Sequence, residues 1–257
     1  MCELFGISSA ESCQINRYLK EFFEHSTAHP HGWGMASMEQ NQVQIEKEPM
    51  QARKSTYLKE RLSVPILMRN GLAHIRYATI GNVEYKNCHP YTRTDASGRQ
   101  WTLIHNGTIF DYEPLNRYVN IQCGDTDSER ILLYLVDVIN QRECELQRKL
   151  NEEERFHLLD STIVKMSKGN KLNLMLYDGE LFYVHTNYAK SLYELKRENQ
   201  VLFSTTPLSG EEWYPVTFTT LLAYQNGKHV FTGTNHGNEY KDSEENIKLL
   251  YSIFAEL

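Results

Sequence analysis

The sequence has no CxxC pair, no unbroken apolar run of the roughly 18 residues a membrane span needs, and no excess of positive charge. It also lacks a basic segment followed by an apolar one near its start, so no secretory leader is visible. Each absence excludes a class. The cysteines, Cys2, Cys13, Cys88, Cys123 and Cys144, are odd in number and irregular in spacing. That argues against a disulfide framework and for a reduced, cytoplasmic setting. The formal net charge of -6 argues against nucleic acid or an anionic membrane surface as the main partner. No internal repeat, low-complexity tract or long linker interrupts the chain, which reads as a single domain over 2–257. With 40% hydrophobic and 23% charged residues, 257 residues can bury a sizeable core.

What is present reads as many short strands with two helical blocks. Residues 2–8 are strand-like, and 13–24 form an amphipathic helix with Ser12 as its expected N-cap. The segment HSTAHPHGWG is a loop whose Gly32 and Gly34 would let backbone approach a ligand closely. Residues 33–38 and 42–47 read as a hairpin turning at Gln40 and Asn41. Strands are expected at 64–69 and 71–77, divided by Gly71, and at 101–105, ended by an Asn106-Gly107 turn. A helix opens at 128–140, and the charged stretch 141–156 continues it or begins another. Asp178-Gly179 and Asn226-Gly227 mark two further hairpins, and 201–205 one more strand. Antiparallel strands with separate helical blocks suggest an α+β layered domain.

Five segments carry candidate chemistry. Cys2 directly follows the initiator Met. If Met1 is removed, the chain begins with a thiol and a free α-amine on one carbon, a nucleophile with a built-in base. In AHIRYATIG, Arg76 lies in a run apolar enough to be buried, where a guanidinium wants a carboxylate or phosphate; on an edge strand it would point to solvent. In NCHPYTR, Cys88 and His89, with His25, His29 and His31 elsewhere, raise the question of a metal. The spacing lacks the paired pattern of a zinc site, so no metal is expected and His89 reads as a hydrogen-bonding loop histidine. In IHNG, Asn106 and Gly107 are a turn or an oxyanion hole. In GDTDSE, Thr126 and Glu129 read as a capping box, with Asp127 suited to the helix dipole or to binding a substrate ammonium.

Taken in order, MCELFG, HPHGWG, HIRYATIG, NCHPY, WTLIHNG and TDSE resemble the class II glutamine amidotransferases. The likeness is to the stand-alone, YafJ-type branch, because LNLMLYDG and TTPLSGEEW also match it. It runs from residue 2 to about 235. The resemblance implies an N-terminal-nucleophile hydrolase fold, a four-layer α/β/β/α sandwich of two antiparallel sheets, and no cofactor. It implies Cys2 as nucleophile, Asn106 and Gly107 as the oxyanion pair, Arg76 on the substrate α-carboxylate and Asp127 on the α-ammonium. Thr79 and His89 match positions near the substrate. One departure is His31, where the branch has Asp, and it bears on substrate or acceptor preference.

The expected activity is cleavage of the γ-amide of glutamine, or of another γ-glutamyl amide, through a thioester on Cys2. Two alternatives stand beside it. One is an ammonia-supplying subunit for a separate, ammonia-accepting enzyme, since about 20 residues beyond position 235 cannot form a synthase core. The other is a non-enzymatic glutamine-binding module, if Met1 is retained.

Overall fold

The structure, a computed structural model, describes residues 2–39 and 42–254, with 250–254 as backbone only. The chain runs through β1 (Glu3–Gln14), α1 (Asn16–Glu24), β2 (Trp33–Glu39), β3 (Gln42–Glu48), α2 (Thr56–Arg61), β4 (Leu67–Ile75), β5 (Tyr91–Thr94) and β6 (Gln100–Thr108). Then follow α3 (Asp127–Leu146), α4 (Glu152–Met166), β7 (Lys171–Tyr177), β8 (Phe182–His185), β9 (Tyr193–Arg197) and β10 (Gln200–Ser204). The last elements are β11 (Tyr214–Pro215), β12 (Leu222–Gln225), β13 (Lys228–Thr232) and α5 (Glu244–Phe254).

The strands form two antiparallel sheets, ordered β11-β9-β10-β1-β4-β2-β3 and β13-β12-β8-β7-β6-β5. Period-two alternation decides what lies on either face of each sheet. In β7, Leu172, Leu174 and Leu176 pack outward against Ile131, Leu135 and Ile139 of α3 and Phe156 and Ile163 of α4. Met175 points the other way, into a core shared with Leu4, Leu72, Phe182 and Phe203 from both sheets. In β1, Phe5 and Ile7 meet Leu19, Phe22 and Phe23 of α1 in a third core. Three apolar layers therefore separate four structural ones, helix, sheet, sheet and helix, and the architecture is the α/β/β/α sandwich. Each fully buried Phe or Leu in these layers contributes roughly 1.5–3 kcal/mol relative to exposure.

Several local expectations change. Strand β1 does not stop at residue 8. After a register shift it continues to pair Cys13 with Met68 and Gln14 with Leu67, so α1 starts later than expected. Its N-cap is Ile15, without a side-chain cap, and Ser12 instead donates to Glu39 Oε1 at 3.1 Å. Gly71 does not divide two strands. It sits inside β4, paired with Ile7 on one side and Ser37 on the other, and pairing on both flanks carries the strand through. Gly34 serves an internal approach: a Cβ there would lie 2.1 Å from the His89 carbonyl oxygen. The β2–β3 hairpin forms with Trp33 opposite Glu48; its expected turn at Gln40 and Asn41 lies outside the described residues.

The charged stretch 141–156 does both things expected of it: α3 runs to Leu146 and α4 starts at Glu152 under an Asn151–Glu154 capping box. The expected box at Thr126 is only half made. Thr126 Oγ1 accepts from Glu129 N, while the Glu129 carboxylate accepts from Cys123 N and Gly124 N. The β12–β13 hairpin turns at Asn226 and Gly227, with φ of 53° and 75°, values that favour this dipeptide. Between β7 and β8 the loop spans 178–181, longer than the Asp178-Gly179 pair alone. Among the described residues, no helix is long and apolar enough to cross a membrane.

Candidate active site

Cys2 stands one residue ahead of β1. Because Glu3 pairs with Ile75 and Leu4 with His74, Cys2 falls beside Arg76 and Tyr77, where β4 ends. The Tyr77 N–H donates to Cys2 Sγ over 3.3 Å, and the sulfur lies 3.4 Å from the Tyr77 carbonyl. The second sheet reaches the same edge through the end of β6, which carries Asn106 and Gly107, and the first turn of α3 brings Asp127. Two adjoining cavities result, sharing Cys2, Tyr77, Thr79 and Gly107. One adds Arg76, His89 and Asp127; the other adds Asn106. All seven residues singled out from the sequence thus meet at one end of the sandwich.

Asn106 and Gly107 are not a turn. They lie within β6, paired with Asn173 and Leu172 of β7. Arg76 is buried, 3% exposed, which removes the solvent-facing edge strand as a reading. Its guanidinium meets backbone carbonyls rather than a carboxylate: Nη1 donates to Asn82 O at 2.9 Å, and Nη2 to Ile80 O and Gly81 O at 2.9 and 2.8 Å. Asp127 is also buried. Its Oδ2 accepts from the Ile109 N–H at 2.8 Å, and among the described residues Oδ1 receives only a long 3.3 Å bond from Ser128 Oγ. His31 packs against the same loop, where its Nδ1 accepts from the Ala78 N–H at 2.9 Å.

Burial pushes the Cys2 thiol pKa up; the Tyr77 N–H and the Arg76 guanidinium pull it back down, and Asp127 adds to the rise. The sulfur is therefore a thiol that needs a base, not a standing thiolate. The rings of His74 and His89 are in contact, with centroids 4.0 Å apart and planes tilted by 35°. Burial lowers the pKa of both well below the usual value, so both imidazoles are neutral. None of their four ring nitrogens has a hydrogen-bond partner among the described residues, so the hydrogen bond expected of the loop histidine His89 is not made within the protein. His25 Nδ1 is 2.8 Å from Glu3 Oε2, and His29 Nδ1 donates to the His25 carbonyl at 2.9 Å. Among the described residues, no group of three or more His, Cys, Asp or Glu side chains is placed to hold a metal.

Residues 1–200 match the model of one protein family, the class II glutamine amidotransferases. The chain belongs to that family. Among its relatives is the putative glutamine amidotransferase YafJ of Escherichia coli, 30% identical over 73% of this chain and 74% of that protein. A solved structure described as a predicted glutamine amidotransferase, from Pseudomonas aeruginosa PA01, superposes with a TM-score of 0.62 at 22% identity, covering 90% of this chain and all of the other. The glutamine phosphoribosylpyrophosphate amidotransferase of B. subtilis gives 0.65 at 15% identity, covering 91% of this chain and 49% of that one. At such identities these two bear on the fold, and the fold is that of the N-terminal-nucleophile amidotransferases.

The amidotransferase cleft also holds residues that sequence reasoning missed. His105 stands behind Asp127, its Nδ1 2.9 Å from Ser128 Oγ; its place in the IHNG segment was the available signal. Lys171, Tyr240 and Asp242 line the second cavity. A lysine heading the apolar run KLNLMLY was a faint signal for the first, and nothing local marked the other two. Gly107 has a demanding place, since a Cβ there would lie 2.0 Å from the Lys171 carbonyl oxygen and 2.5 Å from His105 Nε2. The obstruction is backbone, so it cannot rotate away. Gly107→Ala is expected to lower stability by about 1–3 kcal/mol through forced separation of β6 from β7. An unchanged denaturation midpoint would contradict this.

Proposed function

We propose that residues 2–257 act as one catalytic domain that hydrolyses the γ-amide of glutamine, or of another γ-glutamyl amide, by way of a thioester on Cys2. The observation that carries this reading is the meeting of Cys2, the Asn106–Gly107 pair, Arg76 and Asp127 at one end of the sandwich. Family membership supports glutamine as the first substrate to try.

The steps follow from the groups present. Once Met1 is removed, the α-amine of Cys2 takes the thiol proton as sulfur attacks the γ-carbonyl carbon. The oxyanion that forms is met by the Asn106 side-chain N–H and the Gly107 backbone N–H; losing one such donor costs ~2.7–4 kcal/mol of transition-state stabilisation. The α-ammonium returns the proton to the departing nitrogen, and the C–N bond breaks. Water then cleaves the thioester to give glutamate. Asp127 Oδ1 is the carboxylate oxygen with room for the substrate α-ammonium. For Arg76 to bind the α-carboxylate, that group has to replace loop carbonyls of residues 80–82 on the guanidinium fork. The loop therefore shifts when substrate enters. Thr79 and His89 border the substrate. An ammonia-accepting enzyme would make use of the product, and its co-purification would identify the chain as a supplying subunit.

The test is a rapid acid quench during glutamine turnover, followed by peptide mass analysis. The expected result is an N-terminal peptide that begins at Cys2 and carries a γ-glutamyl group on sulfur. A purified chain that still begins at Met1, or glutamate release with no adduct on Cys2 under any quench time, would refute the mechanism.

A further inference from the structure

The stretch after β13 lies beyond the residues 1–200 that match the family, and its Tyr240 and Asp242 wall the Asn106 side of the cleft. It is fastened at several points. Thr234 N donates to Asp160 of α4, His236 N to the Thr219 carbonyl at 3.1 Å, and Tyr240 N to the Asn187 carbonyl at 2.8 Å. The Tyr240 ring stacks on Phe110 with an interplanar angle of 6°. One more fastening differs in kind. His185, fully buried at the end of β8, meets His236 of the stretch, with their Nε2 atoms 3.0 Å apart.

The partners of the two rings fix where each proton sits. The Leu172 carbonyl, 2.7 Å from His185 Nδ1, can only accept, so His185 carries its proton on Nδ1 and presents a lone pair at Nε2. The Asn238 N–H, 3.0 Å from His236 Nδ1, can only donate, so His236 carries its proton on Nε2. The two assignments agree: His236 Nε2–H donates to His185 Nε2. With centroids 5.3 Å apart and nitrogens at 3.0 Å, the rings meet edge to edge, as that bond requires. Two neutral imidazoles thus complete a chain from the Asn238 N–H to the Leu172 carbonyl, and every ring nitrogen is used. A further proton has no place in it. On His236 Nδ1 it would face the Asn238 N–H, and on His185 Nε2 it would face the His236 N–H.

The charged groups around the pair act in both directions. Burial lowers the His185 pKa to about 3, with His236 and His105 of β6 adding to the fall and the Leu172 carbonyl opposing it. Burial also lowers that of His236, against the pull of the Asp160 carboxylate of α4, whose oxygens are already engaged by Thr234 N and Thr234 Oγ1. A histidine with a folded pKa below its ordinary ~6.5 gives its full stability above that pH and loses it as pH falls, because the opened chain takes a proton that the closed one refuses.

We infer that His185 and His236 are positioning residues that latch the Tyr240–Asp242 wall onto the cleft while both rings are neutral, and that protonating the pair in mild acid releases the wall. Neither ring is among the residues lining the two cavities, so the pair acts through the wall rather than on substrate.

Hydrogen exchange of segment 234–242, read by mass spectrometry and divided by the rate of unstructured chain at the same pH, follows the latch. Protection there is expected to fall about tenfold or more between about pH 7.5 and 5, while β4 keeps its own. In the doubly substituted protein His185→Asn, His236→Gln, which has amides in place of the rings and cannot titrate at the pair, the profile is expected to be flat. Nitrogen–proton spectra of labelled wild-type protein at neutral pH should show His185 protonated at Nδ1 alone and His236 at Nε2 alone. Protection that does not change with pH, a loss shared equally by β4, a fall that survives the double substitution, or the opposite tautomer in either ring would each overturn the latch. Should the double variant fail to fold, the wild-type profile and the tautomers decide. None of these readouts needs turnover, so their failure and that of the thioester mechanism are separate results.

Discussion

Cys2→Ala protein is expected to fold as the wild type does and to release glutamate from glutamine at least ~10⁴-fold more slowly. Removing the nucleophile of a covalent hydrolase costs on the order of 10⁶-fold in kcat, and the residue left behind comes from binding and oxyanion contacts. The sulfur does little for stability here. Cys2 stands ahead of β1, outside the ladder, and the hydrogen bonds of its sulfur are two weak ones to the N–H and carbonyl of Tyr77 at 3.3 and 3.4 Å. The replacement therefore separates chemistry from folding. The checks are a coupled glutamate assay and a melting curve on the same preparation. Undiminished release would remove Cys2 from the mechanism. Matching loss of both rate and melting temperature would mean that the residue is structural.

The largest expected loss of stability lies at the far end of β7 from Lys171. Asp178 is fully buried and its carboxylate serves four donors. Oδ2 accepts from Arg155 Nε and from the Tyr183 hydroxyl, both at 2.8 Å, and Oδ1 from the N–H groups of Glu180 and Leu181 at 2.9 and 2.7 Å. Arg155 is 1% exposed. Asp178→Ala strands that guanidinium with the Glu180 carboxylate as its remaining acidic partner, and the loss is expected to be about 3–5 kcal/mol. For a chain of this size that is a fall in Tm of roughly 6–20 °C. The combined Arg155→Met, Asp178→Leu protein should recover most of the loss, because exchanging both charges for apolar groups leaves neither one unpaired. A single variant that melts with the wild type would show that the pair contributes nothing.

The sequence exposed more of the cleft than of the secondary structure around it. Asn226-Gly227 was readable because two adjacent left-handed residues suit few other dipeptides. Asn106-Gly107 carries the same letters and was misread as a turn. Its glycine answers to the Lys171 carbonyl on a neighbouring strand, a demand no local rule contains. Ser12 misled in a similar way: a good capping residue lost to continued pairing of β1 with β4. The cleft was legible through its ordered motifs, since Cys2, Arg76, Asn106 and Asp127 each sit at an element's end in a segment with its own chemistry. Lys171, Tyr240 and Asp242 were not, because they reach the cleft only once β7 and the stretch after β13 are folded against Cys2. The sequence left Arg76 between burial and a solvent-facing edge strand, and the carbonyls that meet its buried guanidinium belong to a loop that only the fold closes.

Strand β1 lies between β10 and β4, with both flanks paired from Phe5 to Ser8. A residue so close to a strand zipped into mid-sheet has little slack, so Cys2 keeps its place at the mouth of the cleft. Protein carrying an N-terminal affinity tag is expected to be well folded but inert, because the tag turns the α-amine of Cys2 into an amide and removes the base beside the thiol.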